Sequence, residues 1–158
     1  MAEGVFQHLT KRSNPPHPLI GEIDSAGTGG YHIGDSPDSR TMSTLEDHGI
    51  TTYRHGARQV HASDFTRFQY IFGMDRYNLE DLKRLRAREV KKRGGDEEGV
   101  ATVALWGDFG SRKGEEVDDP YYGGREGFET AYEQVNRFST GFLKYLESQQ
   151  PDKGKADA

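Results

Sequence analysis

The sequence contains no cysteine. Because disulfides, thiolate metal sites and cysteine nucleophiles all need a thiol, the chain itself can provide none of them. No apolar run approaches the roughly 20 residues of a membrane-spanning helix, and Met1 to Arg12 lacks the apolar stretch of a signal peptide. None of the six histidines has H-E-x-x-H or comparable ligand spacing. We therefore expect a soluble, cytoplasmic protein without a metal site.

Basic residues are fewer than acidic ones, 21 against 26. The formal net charge is -5 and the isoelectric point is about 5.7. An acidic balance argues against partners that are nucleic acids or anionic membranes. The basic run from Lys83 to Arg93 is interpreted as the solvated face of a helix rather than as a nucleic-acid site.

Hydrophobic periodicity and turn signals predict an alternation of short strands and helices. Helices are predicted over residues 2–12, from Ser36-Pro37 to Gly49, over 77–92 and over 125–147, with a helical turn at 63–65. Strands are predicted over residues 19–23, 57–60, 70–74 and 101–106, and loops over 94–99 and 107–120. This alternation is typical of an α/β fold with a parallel sheet. We expect one domain over residues 1–148, followed by a disordered tail over 149–158.

The last helix has the clearest apolar face. Its apolar residues recur every three or four positions and are expected to belong to the core: Phe128, Tyr132, Val135, Phe138, Phe142 and Leu146.

Six short motifs, in order along about 147 residues, carry a resemblance to a known family. They are Met1-Ala2-Glu3, Ile23-Asp24-Ser25-Ala26-Gly27-Thr28, Asp38-Ser39-Arg40-Thr41, His55-Gly56-Ala57-Arg58-Gln59, Phe68-Gln69-Tyr70-Ile71-Phe72-Gly73-Met74-Asp75 and Asp119-Pro120-Tyr121-Tyr122-Gly123. Together they resemble the low-molecular-weight protein tyrosine phosphatases. The resemblance implies a three-layer α/β/α fold around a parallel sheet.

The resemblance also implies a reaction. In this family a cysteine thiolate attacks phosphotyrosine and forms a phosphocysteine intermediate, while backbone amides and an arginine hold the phosphate. An aspartic acid protonates the leaving oxygen and then activates water. The implied substrates are phosphotyrosine-containing proteins or small aryl phosphates, and no cofactor is needed.

Four residues take substrate-facing roles by this resemblance. Asp119 corresponds to the general acid and base, and the adjacent Asp118 would raise its pKa by like-charge repulsion. Tyr31 corresponds to an aromatic residue on the pocket rim. Tyr121 and Tyr122 correspond to the opposite wall of a slot for a phenyl ring.

Three further residues, Ser25, His55 and Asp75, correspond to groups that hold the signature loop in shape. Each also has a simpler interpretation. Ser25 could be only a turn residue, His55 a structural histidine, and Asp75 the N-cap of the helix that follows it.

The sequence departs from the family pattern at its start. The family's C-x5-R-S-P loop and first central strand would precede Met1, so no nucleophile is present in this chain. We expect little or no phosphatase activity from the chain as written, and a sheet weakened by the loss of its central strand. A start codon assigned too far downstream, or an alternative transcript, is preferred over an evolved inactive enzyme as the explanation for this N-terminal truncation.

Two other functions stay open at this stage. A catalytically dead homologue could bind a partner through the aromatic rim. An arsenate reductase-like enzyme would use a similar fold and loop, although the D-P-Y-Y-G segment with its aromatic pair favours the phosphatase.

Overall fold

The computed structural model describes residues 1–12, 15–28, 39–53, 56–117 and 125–150. The described part contains five α-helices, one 3-10 helix and two β-strands. In chain order they are α1 (Ala2–Thr10), α2 (Ser39–Asp47), α3 (Asp64–Arg67), β1 (Tyr70–Gly73), α4 (Arg76–Lys92), β2 (Thr102–Leu105), the 3-10 helix (Trp106–Phe109) and α5 (Arg125–Ser148).

The two strands form a parallel pair. Tyr70 lies opposite Thr102 and Gly73 lies opposite Leu105, and α4 makes the crossover between the strands. A parallel pair needs such a crossover because the second strand must start again at the same edge of the sheet. The predicted α/β class with a parallel sheet is thereby confirmed.

Side chains alternate across this sheet and divide the core into two parts. On one face, Tyr70 and Phe72 of β1 pack with Trp106 against α1 and α5. On the other face, Ile71 and Val103 pack against α4 and α3. The described elements therefore form helix, sheet and helix layers.

The helix predictions are confirmed within a few residues. Gly49, with φ +83°, ends the segment after α2 in the left-handed conformation that glycine adopts readily. The apolar stripe of α5 lies in the core, where Phe128, Val135 and Phe138 are almost fully buried. Residues 36–37, the predicted start of the second helix, and residues 151–158 of the predicted tail lie outside the described residues.

Two of the predicted strands are wrong in the described part. Residues 19–23 are not a β-strand, and Leu19 is exposed. Residues 57–60 contribute only one isolated parallel bridge, between Gln59 and Gly27. The predicted loop over 107–120 begins within the 3-10 helix. A strand requires a hydrogen-bonded neighbour, which a local pattern does not provide.

No helix of the described ranges is long and apolar enough to cross a membrane.

Candidate functional site

All four residues that the sequence predicts to face the substrate are beyond what the structure describes. Asp119, Tyr31, Tyr121 and Tyr122 lie outside the described residues, and so does His55. Ser25 and Asp75 are described. The candidate site is therefore built from those two residues and from the segments that lead into it.

Ser25 lies beside the N-terminal turn of α1. Its Oγ donates to Oε1 of Glu3 at 3.3 Å, and Glu3 is buried in the first turn of the helix. The ring of Tyr53 packs where Gly4 has no side chain, since a Cβ on Gly4 would lie 3.1 Å from the Tyr53 Cγ. Burial raises the pKa of the Tyr53 phenol well above its ordinary value, and the Glu3 carboxylate adds to the rise. These side chains form a buried polar group at the start of α1.

The backbone before Ser25 is held by a carboxylate–guanidinium–carboxylate bridge. Arg58 donates from Nε to Asp24 Oδ2 at 2.9 Å and from its two terminal nitrogens to Asp64 at 2.9 and 3.2 Å. Asp64 also accepts from the His61 backbone amide at 2.8 Å, and Asp24 accepts from the Ser25 amide at 2.8 Å. The bridge therefore fixes residues 24–25 against the segment from 58 to 64.

The charges of this bridge shift the pKa of each member. Burial alone would raise the pKa of Asp24, but the Ser25 amide and the Arg58 guanidinium outweigh it and lower the pKa. Burial likewise acts to raise the pKa of Asp64, and Arg58 with the His61 amide lowers it overall. The hydrogen bond to Asp64 raises the pKa of Arg58 in turn. All three groups are thus stabilised in their charged forms.

The partners of Ser25 have no role that the sequence predicts. Glu3, Asp24 and Arg58 lie inside the motifs that carry the family resemblance, and that position is the only signal of their importance. Tyr53 and Asp64 carry no local signal, because their role comes from contacts with residues 22 or more positions away or across a turn.

Asp75 is the N-cap of α4. Its Oδ1 accepts from the Asn78 backbone amide at 2.8 Å, and its backbone is extended. This geometry is that of the helix-capping alternative considered for Asp75. Asp75 follows the C-terminal end of β1, the sheet edge where α/β proteins bind ligands.

Residues 115–117, which directly precede the segment containing Asp119, are fixed at the same edge. The Val117 amide donates to the Met74 carbonyl at 2.8 Å, and Glu116 Oε1 accepts from the Arg76 amide at 2.7 Å. Glu115 accepts from both terminal nitrogens of Arg137 on α5, at 3.0 and 2.7 Å. Arg137 holds the pKa of the Glu115 carboxyl below its ordinary value.

Metal ligation has no candidate within these ranges. In the described segments no three His, Asp or Glu side chains cluster in a way that could hold a metal ion.

Comparisons with known proteins agree on one family. The family model for "Low molecular weight phosphotyrosine protein phosphatase" matches residues 1–152. The phosphatase of that name from Schizosaccharomyces pombe is 42% identical over 147 residues, which are 92% of this chain and 87% of the relative. The human protein of that name is 40% identical over 147 residues, covering 91% and 85% of the two chains. The crystal structure of a Drosophila arginine phosphatase, DARP, is similar with a TM-score of 0.80 at 32% identity, over 94% of this chain and 90% of that one.

Proposed function

Since the chain belongs to the low-molecular-weight phosphotyrosine protein phosphatase family, we propose that Asp119 is the general acid and base of a phosphotyrosine hydrolase site. In the first step it would protonate the leaving phenol oxygen, and in the second it would activate water. Phosphotyrosine-containing proteins or small aryl phosphates would be the substrates.

The anchoring of residues 115–117 supports this role for Asp119. Asp119 follows Val117 by two residues, and Val117 is hydrogen-bonded to Met74 at the C-terminal end of β1. A general acid must be held within hydrogen-bonding reach of the leaving group. The hydrogen bonds of residues 115–117 with Met74, Arg76 and Arg137 hold the backbone immediately before Asp119.

The aromatic rim is the second part of the proposal. Tyr31 would line one side of the slot, and Tyr121 with Tyr122 would line the other. Aromatic walls bury a phenyl ring in favourable edge and face contacts. This arrangement would select aryl phosphates over smaller alkyl phosphates.

Ser25, His55 and Asp75 would support the site without touching the substrate. For Ser25 the support is its hydrogen bond to Glu3 in the first turn of α1 together with the Arg58 bridge behind it. For Asp75 it is the cap that fixes the start of α4 beside residues 116–117. For His55 the proposal rests on its position in the His55–Gln59 motif alone.

The nucleophile is the part of the reaction that this sequence does not provide. The family mechanism needs a thiolate, and the 158 residues include no cysteine. We infer that the chain by itself forms no phosphocysteine and releases no phosphate at a rate typical of the family. Absence of cysteine is the observation that carries this inference.

The test compares p-nitrophenyl phosphate hydrolysis by two proteins. One is the 158-residue chain, and the other is the same chain joined upstream to a strand and a C-x5-R-S-P loop. Only the second is expected to turn over. In that protein, Asp119→Ala should lower kcat by about 10²- to 10⁴-fold, as expected for loss of general acid catalysis.

Asp96→Ala is the matched control, since it removes an exposed carboxylate in the loop after α4, away from the proposed site, and should keep most of the activity. Turnover by the 158-residue chain that disappears in Asp119→Ala would overturn the inference about the nucleophile. Equal effects of the two substitutions would overturn the role of Asp119.

A catalytically inactive, phosphotyrosine-binding protein is the second candidate, favoured by the same lack of cysteine. It predicts that the 158-residue chain binds a phosphotyrosyl peptide without hydrolysing it, and that Tyr121→Ala weakens the binding. Isothermal titration calorimetry with the phosphorylated and the unphosphorylated peptide tests this candidate, which requires tighter binding of the phosphorylated peptide. A cytoplasmic location is part of the proposal in either case, and imaging of the tagged chain checks it.

A further inference from the structure

Positive charge is concentrated on one helix. Residues 83–93 contain seven Lys or Arg and one Glu, for a net charge of +6, while the other residues carry 14 Lys or Arg and 25 Asp or Glu, for a net charge of -11. Most of these cations are exposed on α4 or just after it. The chain therefore has a strongly basic surface in an acidic molecule.

This surface contains a groove of about 520 Å³. Ala87 and Val90 give it an apolar part, and Lys83 and Lys91 line it with ammonium groups. The ion pair of Arg86 with Glu97 also lines it, and Gly94 and Gly95 complete the lining. Residues 83, 87 and 91 are spaced four apart, so they share one face of the helix. We refer to this feature as the α4 groove.

The two lysines are not neutralised by neighbours. Within the described ranges neither Lys83 nor Lys91 has an ion-pair partner. By contrast, Arg86 donates to the Ala101 carbonyl at 2.7 Å and to Glu97 at 3.0 Å, and Arg84 pairs with Asp81. Among the cations that line the groove, Lys83 and Lys91 are thus the two that remain open to an external carboxylate.

We propose that the α4 groove binds an acidic peptide segment of a partner protein in extended conformation. Lys83 and Lys91 are eight residues apart, which is about 12 Å along a helix. In an extended peptide, residues four apart are about 13 Å apart and point to the same side. Two acidic residues at positions 1 and 5 would therefore reach both lysines, and a small apolar residue at position 3 would contact Ala87 and Val90.

Charge around the groove favours a short peptide over a polyanion. Glu97 lines the groove itself, where Arg86 pairs with it at 3.0 Å, and Asp96 and Glu98 lie on either side of it in the chain. A nucleic-acid backbone that extended past Gly94 would meet the carboxylates of Asp96 and Glu98 and be repelled. A peptide of about five residues needs only to span Lys83 and Lys91, and the Arg86 guanidinium neutralises Glu97 beside it.

The α4 groove is separate from the proposed catalytic site. Asp75 caps the opposite end of α4, about 12 Å from Lys83 and about 24 Å from Lys91 along the helix axis. The inference therefore holds or fails independently of the proposed phosphatase chemistry.

A peptide titration followed by NMR tests the proposal. The isotope-labelled 158-residue chain is titrated with a capped peptide containing Glu-Ser-Val-Ser-Glu. We expect amide shifts at Ala87, Val90, Gly94 and Gly95, and a dissociation constant that rises with salt. Lys83→Glu with Lys91→Glu should weaken binding by at least about ten-fold, because two attractive pairs become repulsive.

The matched control is the double variant Lys113→Glu with Lys144→Glu, which has the same net charge and changes exposed lysines outside α4. It should bind like the unmodified chain. Ala87→Glu should also abolish binding while preserving the helix. Equal weakening in both double variants, an absence of shifts at the groove, or tighter binding of a duplex DNA or of phosphatidylserine vesicles than of the peptide would overturn the proposal.

Discussion

At the residue scale, Asp75 has a defined structural role. Its carboxylate satisfies the Asn78 amide at the first turn of α4. Removing an N-cap side chain typically costs about 0.5–2 kcal/mol. Asp75→Ala should therefore lower the free energy of unfolding by about 1 kcal/mol in urea titrations followed by circular dichroism.

Asp75→Asn is the control, because asparagine caps helices nearly as well as aspartate. It should leave the urea midpoint almost unchanged. If alanine and asparagine were equally destabilising, the carboxylate charge rather than the cap would be the source of the stability.

The bridge of Asp24, Arg58 and Asp64 makes stability depend on pH. Both carboxyl groups have a lowered pKa in the folded chain. A lowered folded-state pKa contributes stability that is complete above the unfolded-state pKa of about 4 and is lost as pH falls through the folded-state value. The unmodified chain should therefore lose this contribution progressively below about pH 4.

Arg58→Gln should remove much of that dependence. The substitution should lower the free energy of unfolding by on the order of 2 kcal/mol at neutral pH, since hydrogen bonds to charged groups are lost at the nearly buried Asp64. Below about pH 4, the free energy of unfolding of Arg58→Gln should fall less steeply than that of the unmodified chain. Arg67→Gln is the control, because its partner Glu22 is half exposed and such a pair contributes little to stability. Parallel curves of unfolding free energy against pH for Arg58→Gln and the unmodified chain would rule out the bridge as the source of the pH dependence.

The candidate site was only partly predictable at this scale. Ser25 and Asp75 were named because they lie in short motifs. Glu3 was quoted in a motif but given no role, and Tyr53 was not named, because a buried contact between residues 22 or more positions apart leaves no local pattern. Asp64 was assigned only to a helical turn, because its bond to Arg58 across six residues has no sequence signature. The roles of Asp119 and the tyrosines stay predictions.

At the scale of elements, the contact between α5 and the 3-10 helix depends on one glycine. A Cβ on Gly141 would lie 1.7 Å from the Phe109 carbonyl oxygen. Alanine favours a helix over glycine by about 1 kcal/mol, but the overlap with backbone cannot be relieved by a rotamer change. Gly141→Ala should therefore destabilise the chain by about 1–3 kcal/mol, measured by thermal unfolding.

Gly21→Ala provides the comparison, since a Cβ there meets nothing within 4 Å. Its effect should stay within about 0.5 kcal/mol. A stabilising Gly141→Ala would show that the two elements separate easily and that their close contact is not required.

Helices were predicted more reliably than strands for a physical reason. The 3.6-residue period of α5 and the N-cap Asp75 of α4 are signals local to each helix. Residues 19–23 have a strand-like composition, yet in the described part they join no ladder. Residues 70–74 and 101–106 were predictable as strands because both segments are short and apolar, and the helix between them indicated a parallel sheet; their pairing with each other comes from the structure.

At the scale of the whole molecule, Phe142 on α5 contacts α1, β1 and the 3-10 helix on one face of the sheet. Its ring contacts the rings of Phe6 on α1, Phe72 on β1, and Trp106 and Phe109 of the 3-10 helix, with centroid distances of 5.0–5.9 Å. Phe142→Ala should cost about 3–5 kcal/mol because it leaves a cavity among these elements.

Phe142→Leu, which keeps most of the apolar volume, should cost only about 1–1.5 kcal/mol. The measurement is urea unfolding by far- and near-ultraviolet circular dichroism. Because the cluster joins several elements, both signals should change together in the unmodified chain. Separate transitions would indicate that the helices around Phe142 unfold independently of the sheet.

The position of Trp106 has a practical consequence for such measurements. It is the only tryptophan in the sequence, and just 4% of it is exposed, among the rings of Phe6, Phe72 and Phe142. Its indole emission therefore comes from one known point in the interior, and it should shift to the red when water enters. The chain thus carries a native optical probe, without any dye, for the opening of this part of its interior.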